Sequence, residues 1–131
     1  MTTTRTTRLV DCYPRWVTGW YAGHARHDVP CGVHFDCPEG HAGCSHVIPF
    51  TPALDGVARA SWQQNGAIWQ RTGDTFETLT LSPSIRRNPT YASRAAALAA
   101  GALPEYLNDS HFCAFHGFIQ NGQIVFCGDS R

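Results

Sequence analysis

The sequence predicts an α+β domain that is mainly β: an antiparallel sheet with a C-terminal hairpin at Asn121-Gly122 and one inserted helix. Three observations carry this. Short runs of β-branched and aromatic residues recur between turn residues. Gly 12 and Pro 8 are spread along 131 residues, which disfavours long helices. A single stretch, from Ser93 to Pro104, has helix start and stop signals in order.

Taken along the chain, residues 1–8 are polar Thr and Arg after Met1 and predict a flexible tail, leaving 9–131 as one domain. Trp16-Val17-Thr18-Gly19-Trp20-Tyr21 has strand composition, and Gly32-Val33-His34-Phe35-Asp36 alternates as a second strand that delivers Cys37. Val47-Ile48-Pro49-Phe50 is a third. Residues 67–70 and Thr75–Leu81 read as two strands of a hairpin around Thr72-Gly73-Asp74, and Leu81–Arg87 reads as a rigid turn whose Ser side chains bond their own backbone. Ser93 caps Arg94-Ala95-Ala96-Ala97-Leu98-Ala99-Ala100, and Gly101 stops it, within an insert of about 88–106. Phe118-Ile119-Gln120 and Gln123-Ile124-Val125-Phe126 flank Asn121-Gly122, which accepts the positive φ angles of a two-residue turn.

Six Cys and seven His make the second pattern. The N-terminus lacks the apolar run of a signal peptide, and no stretch approaches the ~20 apolar residues of a membrane span, so a cytoplasmic protein is expected. In a reducing compartment such a Cys/His mixture points to metal ahead of disulfides. Cys37-Pro38-Glu39-Gly40-His41-Ala42-Gly43-Cys44-Ser45-His46 is a Gly-containing loop with four potential ligands, and Cys113 and His116 precede the last hairpin. Each segment abuts a predicted strand, as in small zinc domains where a sheet brings two half-sites together.

Cys37, Cys44, Cys113 and His116 therefore form the expected Zn²⁺ set, and the domain is read as zinc-ribbon-like. His41 and His46 are alternatives to Cys44, because the gap from Cys37 exceeds the roughly two to four residues usual in a knuckle. Cys31 and His34 would point to opposite faces of a strand, so Cys31 reads as a buried thiol, as do Cys12 and Cys127. His24 and His27 fall in a polar loop, and His111 reads as a residue that orients its neighbours.

Charge and motif content narrow the function. Ten basic and ten acidic residues leave a formal charge of +0, adverse to nucleic-acid binding and to anionic membranes. There is no His-Glu-x-x-His and no zinc-deaminase signature, so no catalytic residue is assigned. A Cys/His dyad using Cys113 or Cys31 rests on residue type alone.

Three segments together resemble a family of small, uncharacterised proteins of tailed phages and bacteria that are often mislabelled as ammonia monooxygenase. They are Phe35-Asp36-Cys37-Pro38 with Cys44 and His46, then Thr80-Leu81-Ser82-Pro83-Ser84-Ile85, then Cys113 and His116–Ile124 ending in Phe126-Cys127-Gly128-Asp129. The resemblance implies a Cys/His metal site and the hairpin after the His, and no activity. Against the pattern, the first Cys segment is expanded and a helix-bearing insert separates the later motifs. The oxygenase label itself does not fit a chain with no membrane span. The expected function is thus that of a phage accessory or virion-associated protein, held together by structural zinc and binding a protein partner of virion or host. The alternative is a zinc-dependent, hydrolase-like enzyme.

Overall fold

Eight strands form the sheet of the computed structural model, which describes residues 4–18, 28–61 and 66–131. They are β1 (Thr6–Arg8), β2 (Arg15–Thr18), β3 (Pro30–Asp36), β4 (Ser45–Thr51), β5 (Trp69–Thr72), β6 (Thr80–Arg86), β7 (His116–Gln120) and β8 (Gln123–Phe126), accompanied among the described residues by one α-helix, α1 (Arg94–Ala99), and three short 3-10 turns. Their order is β1-β8-β7-β6-β5-β4-β3-β2. All neighbours are antiparallel except β4 and β5, so the sheet is mixed and not the wholly antiparallel one expected. The long connection after Thr51 brings the chain back to run beside β4 in the same direction, which a short hairpin cannot do.

The two edges of this sheet are consecutive in the chain. A flat sheet of eight strands would hold β1 and β2 about 34 Å apart at ~4.8 Å per strand. The segment from Arg8 to Arg15 reaches at most ~25 Å when fully extended, so the sheet has to curl. The turn Leu9–Cys12 makes this passage, with Leu9 wholly buried. The interior of the curl holds Leu9, Val33, Phe35, Phe50, Leu79, Leu81, Phe115, Ile119 and Ile124. In β7 the alternation of buried Gly117 and Ile119 with exposed Phe118 and Gln120 is that of a half-buried strand.

Several expectations are corrected. Thr6–Arg8, placed in a flexible tail, pair with β8 as an edge strand, and Arg5 holds Glu39 through two 2.9 Å bonds. Residues 75–78 form a turn and not a strand: Thr78 N–H donates to Thr75 O (3.2 Å) and the two hydroxyls pair at 2.8 Å. Local Thr hydroxyl bonds compete with the ladder here. The strand begins instead at Thr80 and runs through the Ser82-Pro83-Ser84 segment read as a turn. It does so by bulging: Leu81 pairs with Ile119 and Ile85 with Gly117, so four steps along β6 match two along β7. Pro donates no ladder bond and is confined in sheets to such places.

Ser93 caps α1 by accepting from Ala96 N–H at 3.1 Å. Asn121 and Gly122, between β7 and β8, have φ of 49° and 75°. A side chain at Gly122 would meet Glu77 O at 2.4 Å, so the turn is also closed against the rest of the chain. Residues 19–21 of the first predicted strand, and His24 and His27, lie outside the described residues.

Candidate functional site

The β3–β4 connection builds the first half of a Cys/His cluster. Cys37 N–H donates to Cys44 O at 3.0 Å, which places the two Cys opposite each other at the base of the loop. Gly40 and Gly43, at φ 80° and 70°, supply the positive φ angles by which the loop turns back. His46 follows Cys44 by two, the strand period that returns a side chain to the same face. Cys113 arrives from the short helical turn Asp109–Phe112, just before β7.

The ligand atoms of Cys37, Cys44, His46 and Cys113 all lie within 4.8 Å of one another, and all four residues are buried. Cys37 Sγ is 3.7 Å from Cys113 Sγ, and His46 Nε2 is 4.0 Å from Cys44 Sγ and 3.9 Å from Cys113 Sγ. A tetrahedral ion with metal–sulfur bonds of ~2.3 Å requires ligand separations of roughly 3.8 Å. The cluster thus has the size and donor set of a closed four-ligand metal site.

Its electrostatics agree with this chemistry. Burial, followed by the neighbouring Cys37 and Cys113, pushes the Cys44 thiol up to about 12, and burial also raises Cys113. A thiol raised in this way is neutral in the metal-free protein, whereas a coordinating thiol is deprotonated outright. Burial lowers His46 to about 4, with smaller contributions from Arg87, His41 and His34, so its ring is neutral at physiological pH, as a ligand must be.

This shift has a sign and a consequence. The unfolded chain protonates His46 near pH 6.5, whereas the folded chain resists until about 4, so acidification across that window favours unfolding. The loss from His46 alone is on the order of 3 kcal/mol. In metal-free protein, His46→Gln, which removes the titrating imidazole, is expected to flatten that part of the acid slope. Urea midpoints between pH 7 and 4 for both proteins test it; parallel slopes would rule the assignment out.

Of the residues expected to bind metal, Cys37, Cys44 and Cys113 come together, and the fourth place is occupied by His46, one of the alternatives, and not by His116. His41 Nδ1 stands 3.4 Å from Cys37 Sγ in the same loop, outside the four-residue cluster. Cys31 is wholly buried in β3, with Sγ donating to Val17 O at 3.4 Å, and His34 bonds Ser45 Oγ at 2.8 Å. Cys12 is buried and Cys127 half-buried. His111 Nδ1 accepts from Asn108 N–H at 3.1 Å, closing a helical cap.

His116 opens β7 and does something else. Its Nδ1 lies 2.7 Å from Asp129 Oδ1, and its Nε2 lies 3.3 Å from Ser84 Oγ. A carboxylate only accepts, so Nδ1 carries the proton and the Nε2 lone pair faces the Ser84 hydroxyl. The hydrogen bond to His116 holds the Asp129 carboxyl below the usual range, and Arg86 adds to this from 3.5 Å. The bulge in β6 lifts Ser84 out of the regular ladder beside His116, and Trp69 Nε1–H secures the Ser84 carbonyl at 3.2 Å. This is the Ser–His–Asp arrangement in which a hydroxyl, a base and an orienting carboxylate stand in line.

Sequence reasoning missed Ser84 and Asp129. Both lie in segments that carry the family resemblance, Ser82-Pro83-Ser84 and Cys127-Gly128-Asp129, but neither has a local spacing that marks a nucleophile or its partner.

Residues 18–127 match the model of a family described as bacterial ubiquitination-like system serine protease (BubE). The match spans the four cluster residues, Ser84 and His116, and Asp129 lies just beyond it. It supports a bacterial family and gives no support to the ammonia monooxygenase label. No curated protein and no solved structure matches the chain. Among the described residues no helix is long and apolar enough to cross a membrane.

Proposed function

The chain belongs to the bacterial ubiquitination-like system serine protease (BubE) family, and from that premise we propose that it is a serine-type hydrolase of peptide or isopeptide bonds. The observation that carries this is the line Ser84 Oγ–His116 Nε2 at 3.3 Å and His116 Nδ1–Asp129 Oδ1 at 2.7 Å. The partner expected from the sequence becomes, in this reading, the protein substrate.

The chemistry follows from the geometry. As Ser84 Oγ attacks the scissile carbonyl carbon, His116 Nε2 takes the hydroxyl proton. His116 then delivers that proton to the departing amine, leaving an acyl ester on Ser84. A water molecule, deprotonated by the same nitrogen, adds to the ester, and collapse releases the carboxylic acid and restores the Ser84 hydroxyl. Asp129 keeps the ring in the tautomer that can accept and stabilises the imidazolium once formed.

The Cys37–Cys44–His46–Cys113 set is, in the same proposal, a structural Zn²⁺ site. Three thiolates and an imidazole in a closed tetrahedron suit zinc, and four protein ligands leave no position for a catalytic water. The ion would supply folding energy, and the hydrolytic steps pass through Ser84, His116 and Asp129 alone.

A fluorophosphonate probe is expected to label Ser84, located by peptide mass spectrometry. Asp129→Asn should slow the labelling by about 10³-fold, somewhat less than the ~10⁴ loss known for a buried triad carboxylate, since Asp129 is 53% exposed. Labelling at a different residue, or a rate indifferent to Asp129, would overturn the assignment.

A further inference from the structure

We propose that Glu39 is a positioning residue for the Ser84–His116–Asp129 site: it ties the loop of the Cys/His cluster to the segment that carries Asp129. The proposal rests on the serine-hydrolase reading.

Glu39 lies between Cys37 and Cys44, in the loop that presents two of the cluster's ligands. Its side chain is only 8% exposed, yet its carboxylate is fully engaged. Arg5 donates to Oε1 and Oε2 at 2.9 Å each, and Ser130 Oγ–H donates to Oε2 at 2.5 Å. Ser130 Oγ in turn accepts from the backbone N–H of His116 at 3.0 Å. Arg5 also reaches Ser130 O at 3.3 Å, and its guanidinium lies over the Phe126 ring at 4.3 Å.

One carboxylate therefore joins the chain before β1, the cluster loop, the start of β7 and the turn after β8. Ser130 is the residue after Asp129, so whatever fixes Ser130 fixes the backbone from which the Asp129 carboxylate reaches His116. Asp129 itself is half exposed, and its remaining ion pair with Arg86 is long at 3.5 Å. Its register against His116 is set from the Ser130 side, where main-chain bonds from Cys127 N–H to His116 O (2.9 Å) and from Ala114 N–H to Arg131 O (2.8 Å) are joined by the bond from the His116 N–H to Ser130 Oγ. The same bond fixes the His116 backbone, so both partners of the 2.7 Å contact are referenced to Glu39. Charge-assisted bonds to a shielded carboxylate are short and directional, which suits them to holding two segments in register. A second consequence is coupling: an ion that orders the Cys37–Cys44 loop orders Glu39 with it.

The test uses the full metal-loaded chain with Glu39→Ala, Glu39→Gln and Ser130→Ala. It reads kcat and KM on an activated ester, bound metal, and the low-field proton resonance of His116 Nδ1–H. Displacing an orienting group costs about 10- to 100-fold in activity. Glu39→Ala and Ser130→Ala are expected to lower kcat by that factor with KM nearly unchanged and metal content intact, and to weaken the low-field resonance. Glu39→Gln, whose amide oxygen still accepts from Ser130, should recover part of both. If Glu39→Ala does not fold, Ser130→Ala, which leaves Arg5–Glu39 in place, carries the test. Unchanged kcat and resonance, or activity lost only in step with metal, would overturn the proposal. Should Ser84 take no fluorophosphonate, the hydrolase reading fails by itself, while an unaltered His116 resonance in Glu39→Ala refutes the role of Glu39.

Discussion

Ser84→Ala is expected to lower kcat by about 10⁴- to 10⁶-fold, the range in which loss of a triad nucleophile falls. Stability should scarcely move. Ser84 is half-buried at a bulge, and its Oγ contact is with His116 at 3.3 Å, so alanine removes one hydrogen bond and no packed volume. The bond from Trp69 Nε1 to the Ser84 carbonyl is a main-chain contact and survives the substitution. Such a change sits within about ±0.5 kcal/mol, so a large loss of rate cannot be blamed on unfolding. Ser82, exposed in the same Ser-Pro-Ser segment, is the control, and Ser82→Ala should retain activity. Residual turnover near wild type in Ser84→Ala, with fluorophosphonate labelling moved elsewhere, would show that the Ser84–His116–Asp129 line is not the reacting centre. Chelation is expected to act differently from this mutation: it should reduce activity together with stability, because the metal set and the reacting set share no residue.

The second large effect is expected from Cys113→Ser or Cys37→Ser. Both should abolish stoichiometric zinc and lower the melting temperature by about 15 °C or more. Cys113 is wholly buried and meets Cys37 across 76 positions of chain, so an ion there closes a long loop between β3–β4 and the entry to β7. Structural zinc contributes about 10–16 kcal/mol to small zinc peptides, and a larger core reduces the share that folding depends on. A loss of only about 4–5 kcal/mol, at about 3–4 °C per kcal/mol for a chain of this size, already gives the shift stated. A buried serine hydroxyl without its metal adds a penalty of about 1–3 kcal/mol. Treating wild type with chelator should reproduce the melting temperature of the mutants. A metal-free wild type whose unfolding is indifferent to chelator would remove zinc from the account. Cys113→Ser should also reduce fluorophosphonate labelling, because Cys113 lies three residues before His116 on one short path.

Features that depend on neighbours in the chain are legible in the sequence. The Ser93 cap, the poly-Ala run and Gly101 specify α1 through i to i+3 and i+4 contacts. The apolar alternation marks β3 and β4, although β3 begins two residues earlier and β4 runs longer at both ends than the patterns alone indicated. The concentration of Cys and His around Cys37 and Cys113 identified three members of the cluster by residue type. His46 is visible in the sequence as an alternative to Cys44, since the Cys37–Cys44 gap exceeds that of a knuckle, although in the fold it stands beside Cys44 and takes the place expected of His116.

The features that went unread depend on register and curvature. Thr75–Leu81 alternates like a strand, yet Thr75 and Thr78 close a turn on each other and shift the strand start to Thr80. That shift carries Ser82-Pro83-Ser84 into β6 as a bulge, where a segment composed of turn residues holds the candidate nucleophile. The flexible tail became β1 because the curl of the sheet leaves β8 with a free edge that residues 6–8 pair.

Composition and contacts a few residues long suffice to set which residue types can perform chemistry, the cap and stop of α1, and the apolar faces of the inner strands. That His46 joins Cys37, Cys44 and Cys113 while His116 turns to Asp129 and Ser84 follows from long-range packing. The reason is geometric. Cys113 and His116 are neighbours in sequence, but one ends a helical turn facing the β3–β4 loop and the other opens a strand against β6. Two residues of chain thus separate a member of the Cys/His cluster from the imidazole that meets Ser84 and Asp129, and strand pairing directs each to its own neighbours.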